Sequence, residues 1–225
     1  MSSIIYNIRN TILKSEKEAG IFFIIFYSVG VSGIVIPATR DLFITLTPLA
    51  LLLGLTAILV FHQPRDLKRE IIVFPSIYLI SFFIEAGGVS TGRIFGNYSY
   101  GTGLGIKVLD TPLLIGINWV LLVYCTAVIA GRMAVPEILK VIISSLMMVF
   151  YDAILEQVAP KMDMWSFEEG NVPLRNYFAW LVLALIFHTL LKLTGIKIMN
   201  RPAAFIFYIQ SIFFIILTIF FKLTE

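Results

Sequence analysis

The sequence predicts an all-α polytopic membrane helix bundle of about seven transmembrane helices. Three observations carry that reading. The 225 residues are 59% hydrophobic and only 14% charged. Mean hydropathy is +0.93, and a soluble domain of this length has no interior large enough to hide so much apolar surface. The apolar residues also gather into runs of about the length, roughly 20 residues, that crosses a hydrocarbon core. In lipid each run must satisfy its own backbone N–H and C=O groups, so each is expected to be a helix.

The runs are Ile21–Ala38, Leu42–Phe61, Ile71–Gly87, Leu113–Ala130, Pro136–Ala159, Tyr177–Leu191 and Ala203–Phe221. The connection "ATRD" is so short that the first two should form an antiparallel hairpin. No internal repeat stands out, and residues 1–225 read as one membrane domain. Residues 1–19, from "MSSIIYNIRNTILKSEKEAG", read as an amphipathic interfacial segment rather than a cleaved leader.

Lys and Arg are unequally shared between the two sides. Ten fall on the N-terminal side, among them Arg65, Lys68, Arg69, Arg132, Lys192, Lys197 and Arg201. Six fall on the other: Arg40, Arg93, Lys107, Lys161, Arg175 and Lys222. The positive-inside rule then puts the N-terminus in the cytoplasm and the C-terminus outside. Two connections are long for a helical bundle, 88–111 and 160–176, and this topology puts both on the outer side. They are rich in Gly, Tyr and Trp. Long loops in compact domains are functional or disordered, and this composition argues for function.

Several chemistries are excluded. The basic residues form no long run, so nucleic acid is not an expected partner. The single cysteine, Cys125, allows no disulfide framework or Cys-x-x-Cys metal site. His62 and His188 are too far apart to give metal-ligand spacing, and His188 reads as a packed or helix-bonded residue. Gly101, Gly103 and Gly105 follow no strand and open no nucleotide-binding unit. The last apolar run holds no lysine inside it for a retinal Schiff base.

Three carboxyl groups fall within or at the edge of apolar helix: Glu85, Asp152 and Glu156. Ionisable groups at membrane depth mark a functional site or a pairing partner. Asp152 and Glu156 are four residues apart and share a helix face. Met148, Phe150 and Tyr151 give Asp152 an apolar neighbourhood, which suits it to hold a proton and act as a general acid. The alternative is that the acids simply pair with Arg93, Arg132 or Arg175. The second long loop brings Trp165, Glu168, Glu169, Asn171, Arg175, Asn176 and Trp180. The two tryptophans could be interfacial belt residues, and the two glutamates solvated. Pro173 stands near the first turn of the sixth helix, where Asn171 and Asn176 can bind a polar group or order a water. Trp119 is packing or a face that stabilises a cation.

Four stretches occur in order: "EAGGVSTGRIFGNYSYGTGLG", "DTPLLIGINWVLL", "YDAILEQVAPKMDMW" and "GNVPLRNYFAW". Across residues 80–181 they resemble the membrane carotenoid hydratases, the carotenoid 1,2-hydratase and bisanhydrobacterioruberin hydratase family of bacteria and archaea. One departure is "EQVAP", where relatives carry an Asp-Pro; Glu156 fills that acidic position. The resemblance implies addition of water to the terminal C1–C2 double bond of an acyclic, lycopene-like carotenoid in a bacterial or archaeal cell membrane. It implies no cofactor and no metal, and it allows association with other carotenoid enzymes. Asp152 would be the general acid and Glu85 its partner, with exchangeable roles and Glu156 nearby. Arg93, Phe95, Tyr98, Tyr100, Trp119, Trp165, Asn171, Arg175, Asn176 and Trp180 would bind substrate. Two other readings use the same residues: a proton-initiated isoprenoid or carotenoid cyclase, and a non-catalytic lipid- or carotenoid-binding membrane protein.

Overall fold

A computed structural model of the chain describes residues 15–224. The helices are α1 (Glu16–Val35), α2 (Arg40–Thr45), α3 (Thr47–Val60), α4 (Leu67–Thr91), α5 (Leu113–Gly131), α6 (Glu137–Leu155), α7 (Leu174–Thr194) and α8 (Arg201–Thr224). Among the described residues six of them are long and apolar enough to cross a membrane, and α2 and α3 pass the same test only together, as a bent pair that is either a broken span or a re-entrant loop. The chain is an all-α polytopic membrane bundle. Of the expected interfacial segment, residues 1–14 lie outside the described residues, and Glu16–Ala19 open α1.

Each departure from the expected boundaries has a local cause. The second run is not one helix: Pro37–Thr45 meets Thr47–Val60 at 51°. Pro48, in the first turn of α3, has no N–H to continue the ladder of α2. The turn before it is held by side chains. Thr39 Oγ1 donates to the Gly33 carbonyl at 2.8 Å and Arg40 Nε to the Ile34 carbonyl at 2.9 Å. These bonds satisfy carbonyls that the end of α1 leaves open. The fifth run ends at Leu155 rather than Ala159. Pro160 cannot donate back to Glu156, and the chain tightens into a 3₁₀ turn, Ala159–Met162. The sixth helix begins at Leu174, three residues before Tyr177, because extended Pro173 serves as its N-cap.

Helix α5 is the axis of the bundle. It packs against α3, α4, α6, α7 and α8, and 78% of its apolar window is buried against 22–50% for the other spans. Around it, long apolar side chains face outward, including Ile72, Phe83, Phe150 and Phe178. Lipid is the solvent that makes such a surface stable.

The two long connections are not irregular. Tyr98–Tyr100 (β1) pairs antiparallel with Trp165–Phe167 (β4), aligning Tyr98 with Phe167 and Tyr100 with Trp165. Lys107–Val108 (β2) pairs with Thr111–Pro112 (β3). The β1–β4 ladder makes one aromatic cover across the ends of α4, α6 and α7. Gly101 permits it: a Cβ there would sit 2.3 Å from the Asp163 carbonyl oxygen.

Candidate active site

Beneath that cover the structure gathers the three carboxyl groups. Glu85 lies in the last two turns of α4. Its neighbour α5 approaches closely at Gly116, where a Cβ would come within 2.9 Å of the Tyr78 ring and carbonyl. One turn further along α5, Trp119 Nε1 donates to Glu85 Oε1 at 2.9 Å. Tyr98 and Tyr100 are two residues apart on β1, so their rings share a face. Their hydroxyls donate to Glu85 Oε2 at 2.6 and 2.9 Å. Burial, and then the Glu85 carboxyl beside them, push both phenols well above the ordinary tyrosine range. They remain protonated donors.

Asp152 lies in the last turn of α6, and Glu156 follows its end. Asn176, in the first turn of α7, bridges them. Its amide donates to Asp152 Oδ2 at 3.0 Å and to Glu156 Oε1 at 3.1 Å. Trp165 Nε1, from β4, donates to Glu156 Oε2 at 2.9 Å. Asp152 is fully buried, and its Oδ1 has no hydrogen-bond partner among the described residues. Burial raises the carboxyl of Glu156 above its ordinary range. Of the apolar neighbours that the sequence suggested for Asp152, Met148 and Tyr151 are buried, but Phe150 is 64% exposed and faces away.

Among the described residues no lysine or arginine lies within ion-pair distance of any of the three acids. Three negative charges buried together without a cation would repel strongly and lose their hydration.

Glu85 and Glu156 line one small cavity of about 10 Å³, walled by Phe95, Tyr98, Tyr100, Trp165, Phe167 and Trp180. That is about the room one water needs. Trp180 stacks on Trp119 with ring centroids 4.1 Å apart, which fixes the indole that holds Glu85. Next to it is a larger apolar cavity of about 300 Å³ between α1, the α2–α3 break, α6 and α8. Ile115 and Trp165 line both cavities.

Of the residues the sequence nominated, Glu85, Glu156, Phe95, Tyr98, Tyr100, Trp165, Asn176 and Trp180 line the small cavity. Asp152 and Trp119 are one hydrogen bond behind it. Arg93, Asn171 and Arg175 are exposed and bond none of the acids, and Glu168 and Glu169 are exposed too. His188 is helix-bonded, with Nδ1 2.8 Å from the Ala184 carbonyl. Sequence reasoning missed Phe167 and Ile115. The alternation "WSF" carried a signal for Phe167; nothing marked Ile115 among its apolar neighbours.

Fold and site together define a polytopic membrane protein with a cation-free carboxyl cluster at one end, under an aromatic cover and beside an apolar cavity. Residues 46–224 match the family model described as carotenoid biosynthesis protein, and the chain belongs to that family. The match reaches well beyond residues 80–181 and takes in α3 and α8. No curated protein and no solved structure matches the chain at a significant level. Membership gives the chain a role in carotenoid biosynthesis and a carotenoid-related substrate.

Proposed function

We propose that the protein is a cofactor-independent hydro-lyase that adds water across the terminal C1–C2 double bond of an acyclic carotenoid. One observation carries the reading: a water-sized cavity between two carboxyl groups adjoins an apolar cavity through shared residues. A hydratase needs an acid, a base, one water and a route for an apolar chain end at a single place.

The acid is the Asp152–Glu156 pair. The two carboxyls share one amide donor, and Glu156 is the member on the cavity wall. Its proton goes to C2, using the alkene π electrons to form the C–H bond and leaving a tertiary cation at C1. The faces of Tyr98, Tyr100, Trp165 and Trp180 are the electron-rich walls such a cation requires. The water oxygen then forms the C1–O bond. Glu85 accepts three hydrogen bonds at two oxygens, the pattern of a carboxylate, and it takes the proton that the water releases. Return of that proton to the pair through cavity water restores the cycle. Asp152 acts through Glu156 as the proton reserve. Arg93, Asn171 and Arg175 stand outside the cavity and carry no step of this reaction.

The polyene lies in the apolar cavity and the surrounding lipid. An extended acyclic carotenoid is about as long as the roughly 30 Å core is thick. Its end group therefore arrives near an interface, where water is at hand. The positive-inside balance puts that interface outside the cell.

Expression in a host that makes lycopene, followed by pigment mass analysis, tests the proposal. The expected product has gained one water at each hydrated end and is a tertiary alcohol. A product of unchanged mass bearing a new ring identifies a cyclase. Pigment that co-purifies unchanged identifies a carrier. Either result overturns the proposal.

A further inference from the structure

The end of the bundle away from the carboxyl cluster holds another cavity, of about 710 Å³. Helices α5 and α7 run to it from the active site, with Arg132 just past the end of α5 and Lys192 in the last turn of α7. Six cations line it: Arg65, Arg132, Lys140, Lys192, Lys197 and Arg201. Among the described residues, two carboxylates pair with them. Glu137 pairs with Lys140 at 2.7 Å, and Glu16 with Arg201 at 3.6 Å. Among the described residues, Arg65, Arg132, Lys192 and Lys197 have no carboxylate within ion-pair distance.

The wall behind these charges is built rather than incidental. Arg132 Nη2 donates to the Asn200 carbonyl at 3.1 Å, and Arg65 Nη2 lies 2.7 Å from the Met199 sulfur. Asn200 is itself buried and lines the cavity. Its amide donates to the Ile58 carbonyl at 2.8 Å and to the Tyr124 hydroxyl at 3.0 Å. Its side-chain oxygen accepts from the Ala203 N–H at 3.2 Å. Two guanidinium groups are thus pre-placed by a fixed loop, and two flexible lysines close the ring. Four cations without an ion-pair partner surround one space, with the Glu137 carboxylate near Lys192 and Lys197 offsetting only part of their mutual repulsion. A group with several anionic oxygens relieves that repulsion and uses the forked donors of arginine. Beneath the charges the lining turns apolar, with Val128, Val141, Leu191 and Ile196. Basic pockets between the ends of spanning helices have the chemistry of phosphate headgroup sites.

We propose that this cavity binds an anionic phosphate group, from a phospholipid headgroup or a soluble phosphate, through Arg65, Arg132, Lys192 and Lys197. The site is separate from the carboxyl cluster and does not depend on the reaction assigned to it.

The test uses the full chain, purified in detergent and stripped of lipid. Phosphatidylglycerol, phosphatidylcholine, inorganic phosphate and pyrophosphate are added separately. Melting temperature and native mass spectrometry are the readouts. Phosphatidylglycerol should bind and raise the melting temperature where phosphatidylcholine does not. The double variant Lys192→Gln/Lys197→Gln should weaken that binding about thirtyfold, taking each lysine at its usual worth beside an anionic headgroup. Lys222→Gln, at the other end of the bundle, should leave it unchanged. Both lysines are exposed, so the double variant should fold. If it does not, Lys197→Gln alone should weaken binding about fivefold by the same scaling. Stabilisation by phosphate or pyrophosphate without a phosphatidylglycerol effect assigns a soluble ligand to the same site. Equal binding of both lipids, an unaffected lysine variant, or no response to any of the four probes overturns the proposal.

Discussion

Glu85→Gln separates a chemical role from a structural one. The substitution keeps size and shape, so packing against Trp119 and β1 is preserved. The amide also suits the three groups around it. Its oxygen can accept from Trp119, now 2.9 Å from Oε1. Its NH₂ can donate to the hydroxyls of Tyr98 and Tyr100, now 2.6 and 2.9 Å from Oε2. Tyrosine hydroxyls accept as well as donate, so both simply turn. One turned hydroxyl can donate to the other, and only the second is left without an acceptor, so the stability loss should be about 1–3 kcal/mol. Activity should behave differently. An amide cannot take a proton from the attacking water, and general base catalysis is worth about 10²- to 10⁴-fold. The assay is pigment conversion in a lycopene-producing host, normalised to folded protein, with a melting curve of the purified variant. Glu85→Ala is the contrast. It strands three donors, each costing about 1–3 kcal/mol, and should lose fold and activity together. A Glu85→Gln protein that folds and hydrates within about tenfold of the parent would refute the assignment of Glu85 as base.

Asn176→Ala removes the donor shared by Asp152 and Glu156 and should cost roughly 3 kcal/mol, two bonds to buried acids; an unchanged melting temperature would show that the bridge contributes nothing. Gly116→Ala forces a methyl against Tyr78 and should cost about 1–3 kcal/mol by overpacking, read as a lower melting temperature with Trp119 fluorescence altered; a parent-like protein would mean that α4 and α5 can separate there freely. Asp163 accepts from the Thr102 hydroxyl and N–H, which hold its carboxyl below the ordinary range. A depressed folded value stabilises above the unfolded value, near about pH 4, and the contribution fades as pH falls through the folded one. Limited proteolysis of 160–176 should therefore speed up on acidification in the parent and less so in Asp163→Asn; identical pH profiles would contradict this.

The spans were legible because lipid leaves the backbone no alternative to helix, and hydropathy reports burial in lipid directly. Their ends were not, because single prolines decide them. Pro48 breaks the second run and Pro160 stops the fifth short of Ala159, while hydropathy passes smoothly over both. The acids were legible as groups out of place in apolar helix. Their partners were harder. Trp119 and Asn176 could be nominated but not paired, since pairing depends on helix rotation and on the Gly116 contact. The ladder of β1 with β4 was the largest omission. "YSY" and "WSF" each alternate large and small with period two, but each is three residues long, and a lone ladder that short is marginal in water.

That marginal ladder stands because the site holds it. Tyr98 and Tyr100 anchor β1 to Glu85, and Trp165 anchors β4 to Glu156. The same three bonds orient the carboxyls and close them off from bulk water. The proposed reaction of an apolar chain end with water would confine such a site to the ends of the helices. Deeper in the bundle no water arrives, and beyond the helix ends nothing shields a proton or a cation. Helices alone provide rigid acids there but no roof, and loops alone provide a roof but no rigidity. Tying two loops into a ladder whose inward rings bond helix-borne acids meets both needs. It also makes Tyr98, Tyr100 and Trp165 inseparably parts of the fold and of the site.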